Sequence, residues 1–187
     1  MKKQSNIAQI AIFFALMLVL HLTSSIIFNI MPFPIKPTIV HIPVIIASIL
    51  YGPRVGATLG GLMGVISVVN ATITVLPTSY LFSPFVPNGN LASLIVAFVP
   101  RILIGITPYY VYKYIRNKFG LGFAGAIGSA TNTIFVLGAI FFLFPKQFNG
   151  NVLAFLASVL TTNSLAELIV STILTIAIVP SLEKVRK

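Results

Sequence analysis

The chain has 187 residues, of which 57% are hydrophobic and 7% are charged, and its mean hydropathy is +1.04. A soluble domain carries about 25% charged residues, so this composition excludes an ordinary soluble domain and predicts an all-α integral membrane protein. The net charge of +10 does not indicate nucleic-acid binding, because the basic residues flank apolar segments, where they set topology and contact membrane lipids. With no cysteine and two histidines, neither a disulfide framework nor a metal site is expected.

The apolar segments predict a compact bundle of six transmembrane helices, since a span needs about 20 residues. The predicted spans cover residues 6–28, 39–51, 53–69, 91–112, 120–144 and 152–182. They form one membrane domain over residues 1–187, without a separate soluble domain. The first apolar segment follows two lysines as in a signal peptide, but it lacks a clear cleavage site and is interpreted as a permanent span.

Small residues at four-residue spacing predict two faces for close helix packing. In the first span, Ala11 and Ala15 form a small-x-x-x-small pair. In the third span, Gly56, Gly60 and Gly64 extend the same pattern over two turns. Three glycines in register are the stronger signal, and they indicate that another helix backbone approaches this face closely.

Two proline-rich connections separate the first four spans. The segment 29–38 contains three prolines and one charge, Lys36. The segment 70–90 has three prolines, no charge and the aromatic residues Tyr80, Phe82 and Phe85. An uncharged aromatic loop of this length is uncommon as a mere connector. We interpret it as a lid over a site, with an interfacial loop anchored by its aromatics as the alternative.

The distribution of basic residues predicts that both termini are cytoplasmic. With the N-terminus inside, the outer side holds only Lys36 and Lys146. The inner side then holds the other basic residues outside the spans, which are Lys2, Lys3, Arg54, Lys113, Arg116, Lys118, Lys184, Arg186 and Lys187. This is a positive-inside bias, and it places both proline-rich loops outside.

Polar residues inside the spans predict a buried polar site. Arg101, Asn132, Asn163 and Glu167 lie near the middle of three different spans. Asn163 and Glu167 continue with Ser171 and Thr175 along one helical face, of which the last two are expected to serve packing. Charges at this depth are costly, so the four groups should converge in the interior. They form either a structural Arg101–Glu167 ion pair or, as we favour, a small polar pocket.

The chemistry that is absent narrows the function further. There is no G-x-x-x-x-G-K-[ST] phosphate loop, so the chain is not expected to hydrolyse ATP by itself. There is no H-E-x-x-H motif and no G-x-S-x-G nucleophile elbow, so we expect neither an enzyme nor a cofactor. An outward pocket without an energy-coupling motif predicts a substrate-capture subunit that needs a partner.

The whole chain resembles the substrate-binding (S) components of energy-coupling factor (ECF) vitamin transporters. The resemblance rests on six spans and on the segment HIPVIIASILYGPRVGATLGGLMG at 41–64. Supporting segments are NATIT and TSYLFSPF within 70–85, VPRILIG at 99–105, TNT at 131–133 and NSLAE at 163–167. Among the subtypes, the chain is most similar to the pantothenate-specific component, and components for hydroxymethylpyrimidine, pyridoxine or folate remain alternatives.

The resemblance implies a division of labour rather than enzyme chemistry. The S component captures a vitamin outside and docks on a membrane coupling subunit, EcfT, driven by two ECF ATPases. Family sites lie under the loops joining helices 1–2 and 3–4, and Ala11 and Ala15 match the A-x-x-x-A motif that contacts EcfT. The candidate substrate-binding residues are Arg101, which would take the pantothenate carboxylate, with Asn132, Asn163, Glu167, Asn70, Thr78, Tyr80 and Phe82.

Two other functions compete with this interpretation. The first is a stand-alone secondary transporter in which Glu167 carries a proton. The second is a structural membrane subunit in which Arg101 and Glu167 only hold the bundle together. In all three interpretations the protein is expected in a bacterial plasma membrane as a multi-pass protein.

Overall fold

A computed structural model of the chain describes residues 2–30, 38–147, 151, 154, 157 and 161–186, which contain helices and no strand. The α-helices are α1 (Lys2–Ile30), α2 (His41–Tyr51), α3 (Pro53–Ile73), α4 (Ala92–Ile104), α5 (Thr107–Tyr114), α6 (Lys118–Leu143) and α7 (Thr162–Arg186). Short 3-10 turns lie at Ser79–Leu81 and Pro145–Gln147.

The helices confirm the predicted multi-pass, all-helical architecture. Segments long and apolar enough to cross a membrane are Asn6–Ile27, Pro53–Ile73, Ala92–Tyr114, Lys118–Leu143 and Asn163–Lys184, and α2 is a shorter apolar helix. Together these correspond to the six predicted segments. Which side of the membrane holds the termini stays a prediction from the basic residues.

Several boundaries differ from the predicted ones. Helix α3 continues to Ile73, so Asn70 lies on a helix and not in the following loop. The predicted span 91–112 is divided at Gly105 and Ile106 into α4 and α5. Helix α7 begins only at Thr162, and the predicted start at 152 falls in a stretch only partly described. Residues 31–37, which include Lys36, also lie outside the described residues.

Helix α2 lies at the centre of the bundle, and the other helices pack around it. Each of its residues from His41 to Leu50 is buried, and it contacts α1, α3, α4, α5, α6 and α7. At 1.5 Å per residue its 11 residues reach about 16 Å, roughly half of a hydrocarbon core about 30 Å thick. The described residues just before it, 38–40, are not helical, and they pass from the exposed Thr38 to the buried Val40.

A tight turn at Gly52 joins α2 to α3. Gly52 has φ 98°, a left-handed conformation that favours glycine. Its N–H donates to the Ser48 carbonyl at 2.9 Å, and Pro53 follows as the first residue of α3, where no helical N–H is needed. The turn lets α3 run back along α2 with no connecting loop.

The glycine stripe of α3 packs against α4, which confirms its predicted role. A Cβ on Gly60 would collide with the Arg101 carbonyl, and one on Gly56 would collide with the Gly105 carbonyl. Gly61, on another face of the same helix, has open space around it. The close approach is reinforced where the Ser48 hydroxyl donates to the Gly105 carbonyl at 2.7 Å. The backbone of α4 is thus held at Arg101.

Helix α1 contributes little buried surface. Phe13 and Met17 are its buried side chains among those described, and they face the bundle core. Ala11 and Ala15 are exposed and lie away from that contact. An apolar span whose outer face is largely uncovered leaves room for lipid or for another membrane helix.

We predict that Gly60→Ala lowers the free energy of unfolding by about 1–3 kcal/mol, because the added methyl group meets fixed backbone rather than a movable side chain. The matched control is Gly61→Ala, which should be stabilising by about 0.5–1 kcal/mol since it only removes glycine's conformational freedom. Unfolding in mixed micelles of mild detergent and sodium dodecyl sulfate measures both. Equal effects of the two variants would contradict the proposed packing.

Candidate binding site

A cavity of about 490 Å³ lies between α1, the entry to α2, α3, α4 and the loop that follows α3. Its lining is rich in hydroxyl groups and also includes one amide, one histidine and one guanidinium. The lining residues are His21, Ser24, Ser25, Thr38, Ile39, Val40, Met63, Ile66, Ser67, Asn70, Ala71, Thr74, Leu76, Thr78, Ser79, Phe82 and Arg101. This composition suits a small solute with several hydroxyl or amide groups and a negative charge.

Arg101 is the permanently charged side chain of this lining, and it is only 9% exposed. Its Nη1 donates to the Val96 carbonyl at 2.7 Å. Its Cζ lies 5.2 Å from the centre of the Phe82 ring, within the range of a cation–π contact. Its buried Nε has no hydrogen-bond partner. Because an unsatisfied buried donor is costly, the guanidinium retains hydrogen-bonding capacity that the described protein groups do not use.

Glu167 does not line the cavity, and its carboxylate bonds to backbone. Its Oε1 accepts a hydrogen bond from the backbone N–H of Thr38 at 2.6 Å. It does not lie within ion-pair distance, 4.0 Å, of Arg101, although the two charges are close enough to interact electrostatically. The carboxylate therefore satisfies a backbone donor of the irregular segment before α2, and Thr38 in turn lines the cavity.

The loop between α3 and α4 covers one side of the cavity. It is held by hydroxyl groups of its own sequence: Thr72 and Ser83 share a hydrogen bond of 2.7 Å, and Ser79 donates to the Thr74 carbonyl at 3.0 Å. Ser93 of α4 donates to the Tyr80 carbonyl at 2.6 Å. These bonds explain why an uncharged, proline-rich loop is ordered, and they place Thr78, Ser79 and Phe82 on the cavity wall.

The structure brings together one half of the predicted site and separates the other. Arg101, Asn70, Thr78 and Phe82 all line the cavity. The predicted residues outside the lining are Asn132, Asn163, Glu167 and Tyr80.

Besides Glu167, the other three of these residues have surroundings outside the cavity lining. Asn132, on α6, has a buried Oδ1 without a partner, and Asn163 is exposed near the start of α7. The Tyr80 ring packs edge-on against Phe144, with 5.8 Å between the ring centres. Phe85, expected to help close the loop, is 77% exposed.

The last two residues of the polar stripe on α7 serve packing, as predicted. Ser171 and Thr175 are fully buried. The Ser171 hydroxyl donates to the Glu167 carbonyl at 2.7 Å, within its own helix. Both residues lie where α7 passes Gly125 of α6, since a Cβ there would meet the Ser171 carbonyl and the Thr175 hydroxyl. The absence of a side chain at Gly125 thus allows the two helices to pack closely.

The hydroxyl groups contributed by α1 are absent from the sequence-based prediction. His21, Ser24 and Ser25 line the cavity from this helix. Their signal in the sequence is a short polar cluster near the end of an otherwise apolar span, which hydropathy assigns to the membrane surface. Ser67 and Thr74 were also missed, because a hydroxyl on a helix is usually satisfied by its own backbone.

A polar cavity enclosed by membrane-spanning helices and holding a buried charge is the arrangement of a solute site in a transport protein. Residues 5–179 match the family described as ECF transporter, substrate-specific component. The chain belongs to this family, whose members are transport subunits rather than enzymes.

Two relatives extend this assignment. The chain is 49% identical over 189 residues, 98% of its length and 96% of the relative's, to "Pantothenic acid transporter PanT" of Lactococcus lactis subsp. cremoris. It is 34% identical over 162 residues, 76% of its length and 73% of the relative's, to "Pantothenate transporter PanT" of Leuconostoc mesenteroides subsp. mesenteroides. Similarity over nearly the full length of the first relative means that the whole membrane domain is shared.

We predict that Glu167→Ala accelerates amide hydrogen exchange at Thr38 by about tenfold or more, because the N–H loses a charge-assisted hydrogen bond. Hydrogen–deuterium exchange with mass spectrometry, read on peptides that contain residues 38–41, measures the effect. Glu183→Ala is the matched control, since that glutamate contacts Tyr112 at 3.4 Å instead. Unchanged exchange in Glu167→Ala would mean that the carboxylate does not hold this segment.

Proposed function

We propose that this protein is the high-affinity substrate-capture subunit of an ECF-type importer and that its substrate is pantothenate. The proposal has two supports: both relatives carry pantothenate in their names, and the cavity presents a buried guanidinium among hydroxyl and amide groups. Binding would take place on the extracellular side of a bacterial plasma membrane, with both termini in the cytoplasm.

The observation that carries the choice of substrate is Arg101, with its partly unsatisfied guanidinium on the cavity wall. Pantothenate has one carboxylate, one amide and two hydroxyls. Its carboxylate would meet Arg101 in a charge-assisted contact. Asn70, Thr78 and the serines of α1 would serve the amide and hydroxyls. Phe82, already beneath the guanidinium, would exclude water from the carboxylate end.

The competing functions account less well for the same residues. A proton-coupled transporter based on Glu167 needs that carboxylate on the solute path, but it accepts the Thr38 N–H and lies outside the cavity lining. A purely structural ion pair needs direct contact between Arg101 and Glu167. Their hydrogen bonds go instead to the Val96 carbonyl and to the Thr38 N–H. Hydroxymethylpyrimidine and pyridoxine lack a carboxylate, and folate needs a stacking surface for a large flat ring. The chain has no tryptophan to supply such a surface.

The energy for uptake would come from partner subunits. We propose that the chain docks on the EcfT coupling subunit, which two ECF ATPases drive, and that toppling of the S component carries the bound vitamin inward. Ala11 and Ala15 are the proposed docking residues. Their exposure on the outer face of α1 leaves this small-residue surface free for a partner helix.

We predict that Arg101→Ala weakens pantothenate binding by at least about thirtyfold, since it removes the buried partner of a carboxylate. Isothermal titration of the purified protein with pantothenate and with pantothenol, in which CH2OH replaces the carboxylate, provides the test. The wild type should prefer pantothenate, and the variant should lose that preference. Arg54→Ala, at an exposed arginine, is the control. A variant that keeps the wild-type affinity for pantothenate would remove Arg101 from the site.

We further predict that the double variant Ala11→Trp, Ala15→Trp binds pantothenate normally but does not support uptake, because two indole rings prevent close helix approach. Radiolabelled uptake in liposomes containing the reconstituted four-subunit complex measures transport, and titration of the isolated protein measures binding. The double variant Ile12→Trp, Leu16→Trp is the control, because it places the same rings at exposed positions with the same spacing but on another side of α1. Assembly and uptake at wild-type levels in the alanine double variant would exclude this docking face.

A further inference from the structure

Pro100 precedes the binding-site arginine and lies inside α4. A proline inside a helix has no N–H, so the carbonyl four residues earlier loses its helical donor. In α4 that carbonyl belongs to Val96. Both Pro100 and Val96 are fully buried, so solvent does not supply a replacement donor. A buried carbonyl without a donor is costly, and the fold must satisfy it from elsewhere.

The replacement donor is the guanidinium of Arg101. Its Nη1 donates to the Val96 carbonyl at 2.7 Å, and the side chain reaches this acceptor because helical side chains lean toward the N-terminus of their helix. The neighbouring residues Pro100 and Arg101 therefore work as a unit. The proline exposes an acceptor, and the arginine is oriented by it.

This hydrogen bond decides which edge of the guanidinium remains without a protein partner. Nη1 lies on the Cδ side of the planar group, so its use leaves the opposite edge, formed by Nε–H and Nη2, without a hydrogen bond to the described residues. The Nε–H has no partner in the described part of the chain. Phe82 packs against the guanidinium at 5.2 Å and limits rotation of its plane. Two parallel N–H groups on one edge match the two oxygens of a carboxylate.

The backbone of Arg101 is held independently of its side chain. The Arg101 carbonyl lies against Gly60 so closely that a Cβ there would collide with it. With its backbone held by α3 and its Nη1 held by Val96, the guanidinium has little freedom left. Pre-organisation of this kind reduces the entropy that a ligand must remove on binding.

We infer that Pro100 is a positioning residue for ligand binding: by freeing the Val96 carbonyl it orients Arg101 and sets the preference of the cavity for a carboxylate over a neutral group. This inference rests on the proposed function for its ligand, but not for its geometry. In Pro100→Ala a backbone N–H returns to residue 100, takes the Val96 carbonyl and displaces the guanidinium from it.

Titrations with pantothenate and pantothenol test the inference. Pro100→Ala should weaken pantothenate binding by about tenfold, the value of one well-placed charge-assisted contact, and should leave pantothenol binding within about twofold. Pro180→Ala is the matched control, because Pro180 is also inside a helix but in α7, away from the site. Equal losses for both ligands would assign Pro100 a merely structural role and overturn the inference, as would unchanged binding of both.

A second measurement needs no ligand and separates this inference from the proposed function. Nitrogen-15 NMR of arginine-labelled protein reports rotation about the Cζ–Nη bonds, which a hydrogen bond on Nη1 slows. Resolved Arg101 Nη signals are expected in the wild type and in Pro180→Ala, and averaged signals in Pro100→Ala. If the wild type binds no pantothenate yet this difference is present, the proposed substrate is wrong and the positioning role stands. If Pro100→Ala keeps resolved signals, the positioning role is wrong.

Discussion

The structure depends on keeping one guanidinium charged and oriented inside a membrane-embedded bundle. Such a charge is tolerated only where protein groups replace water around it. Arg101 obtains an acceptor from Val96, a π face from Phe82 and a favourable field from Glu167. None of these contacts neutralises it in a direct ion pair. The fold therefore keeps a positive charge available at the wall of a cavity, at the cost of an interrupted helix and a glycine-lined helix contact.

The short central helix explains the position of the cavity and the role of the buried acid. Helix α2 reaches only about half of the membrane depth, and the described residues just before it, 38–40, are not helical. The Thr38 N–H is one donor left by this arrangement, and Glu167 accepts it. The Glu167 carboxylate thus bonds to a residue of the cavity wall. This contact also links α7 to Thr38, just before α2, although the two lie far apart in the sequence.

Hydropathy, basic flanks and proline positions are local properties, so they predicted the apolar segments and the covering loop. The glycine stripe predicted a close helix contact but could not name its partner, since GxxxG spacing describes only one of two surfaces. Shared depth suggested that Arg101, Asn132, Asn163 and Glu167 converge. Depth in a bundle leaves the direction of each side chain open, and Asn132 and Asn163 do not line the cavity. The α1 hydroxyl groups were not predicted for the same reason, because the sequence does not show which side chains of a helix line a cavity.

The sequence by itself determined that this is a multi-pass helical membrane protein with one basic residue deep in a span. The physical reason is that long apolar segments with so few charges are stable in lipid, where the backbone must form helices to satisfy its hydrogen bonds. It also carried the family resemblance, which comparison with relatives bears out. Only the tertiary structure decided which polar groups meet. Arg101 joins Asn70, Thr78, Phe82 and the α1 hydroxyls because α3 and α4 touch backbone to backbone, and Glu167 joins Thr38 because α2 is short. Those outcomes depend on how each helix is rotated about its axis and on a backbone donor, the Thr38 N–H, that lies far from Glu167 in the sequence. The sequence of one segment alone does not show either of them.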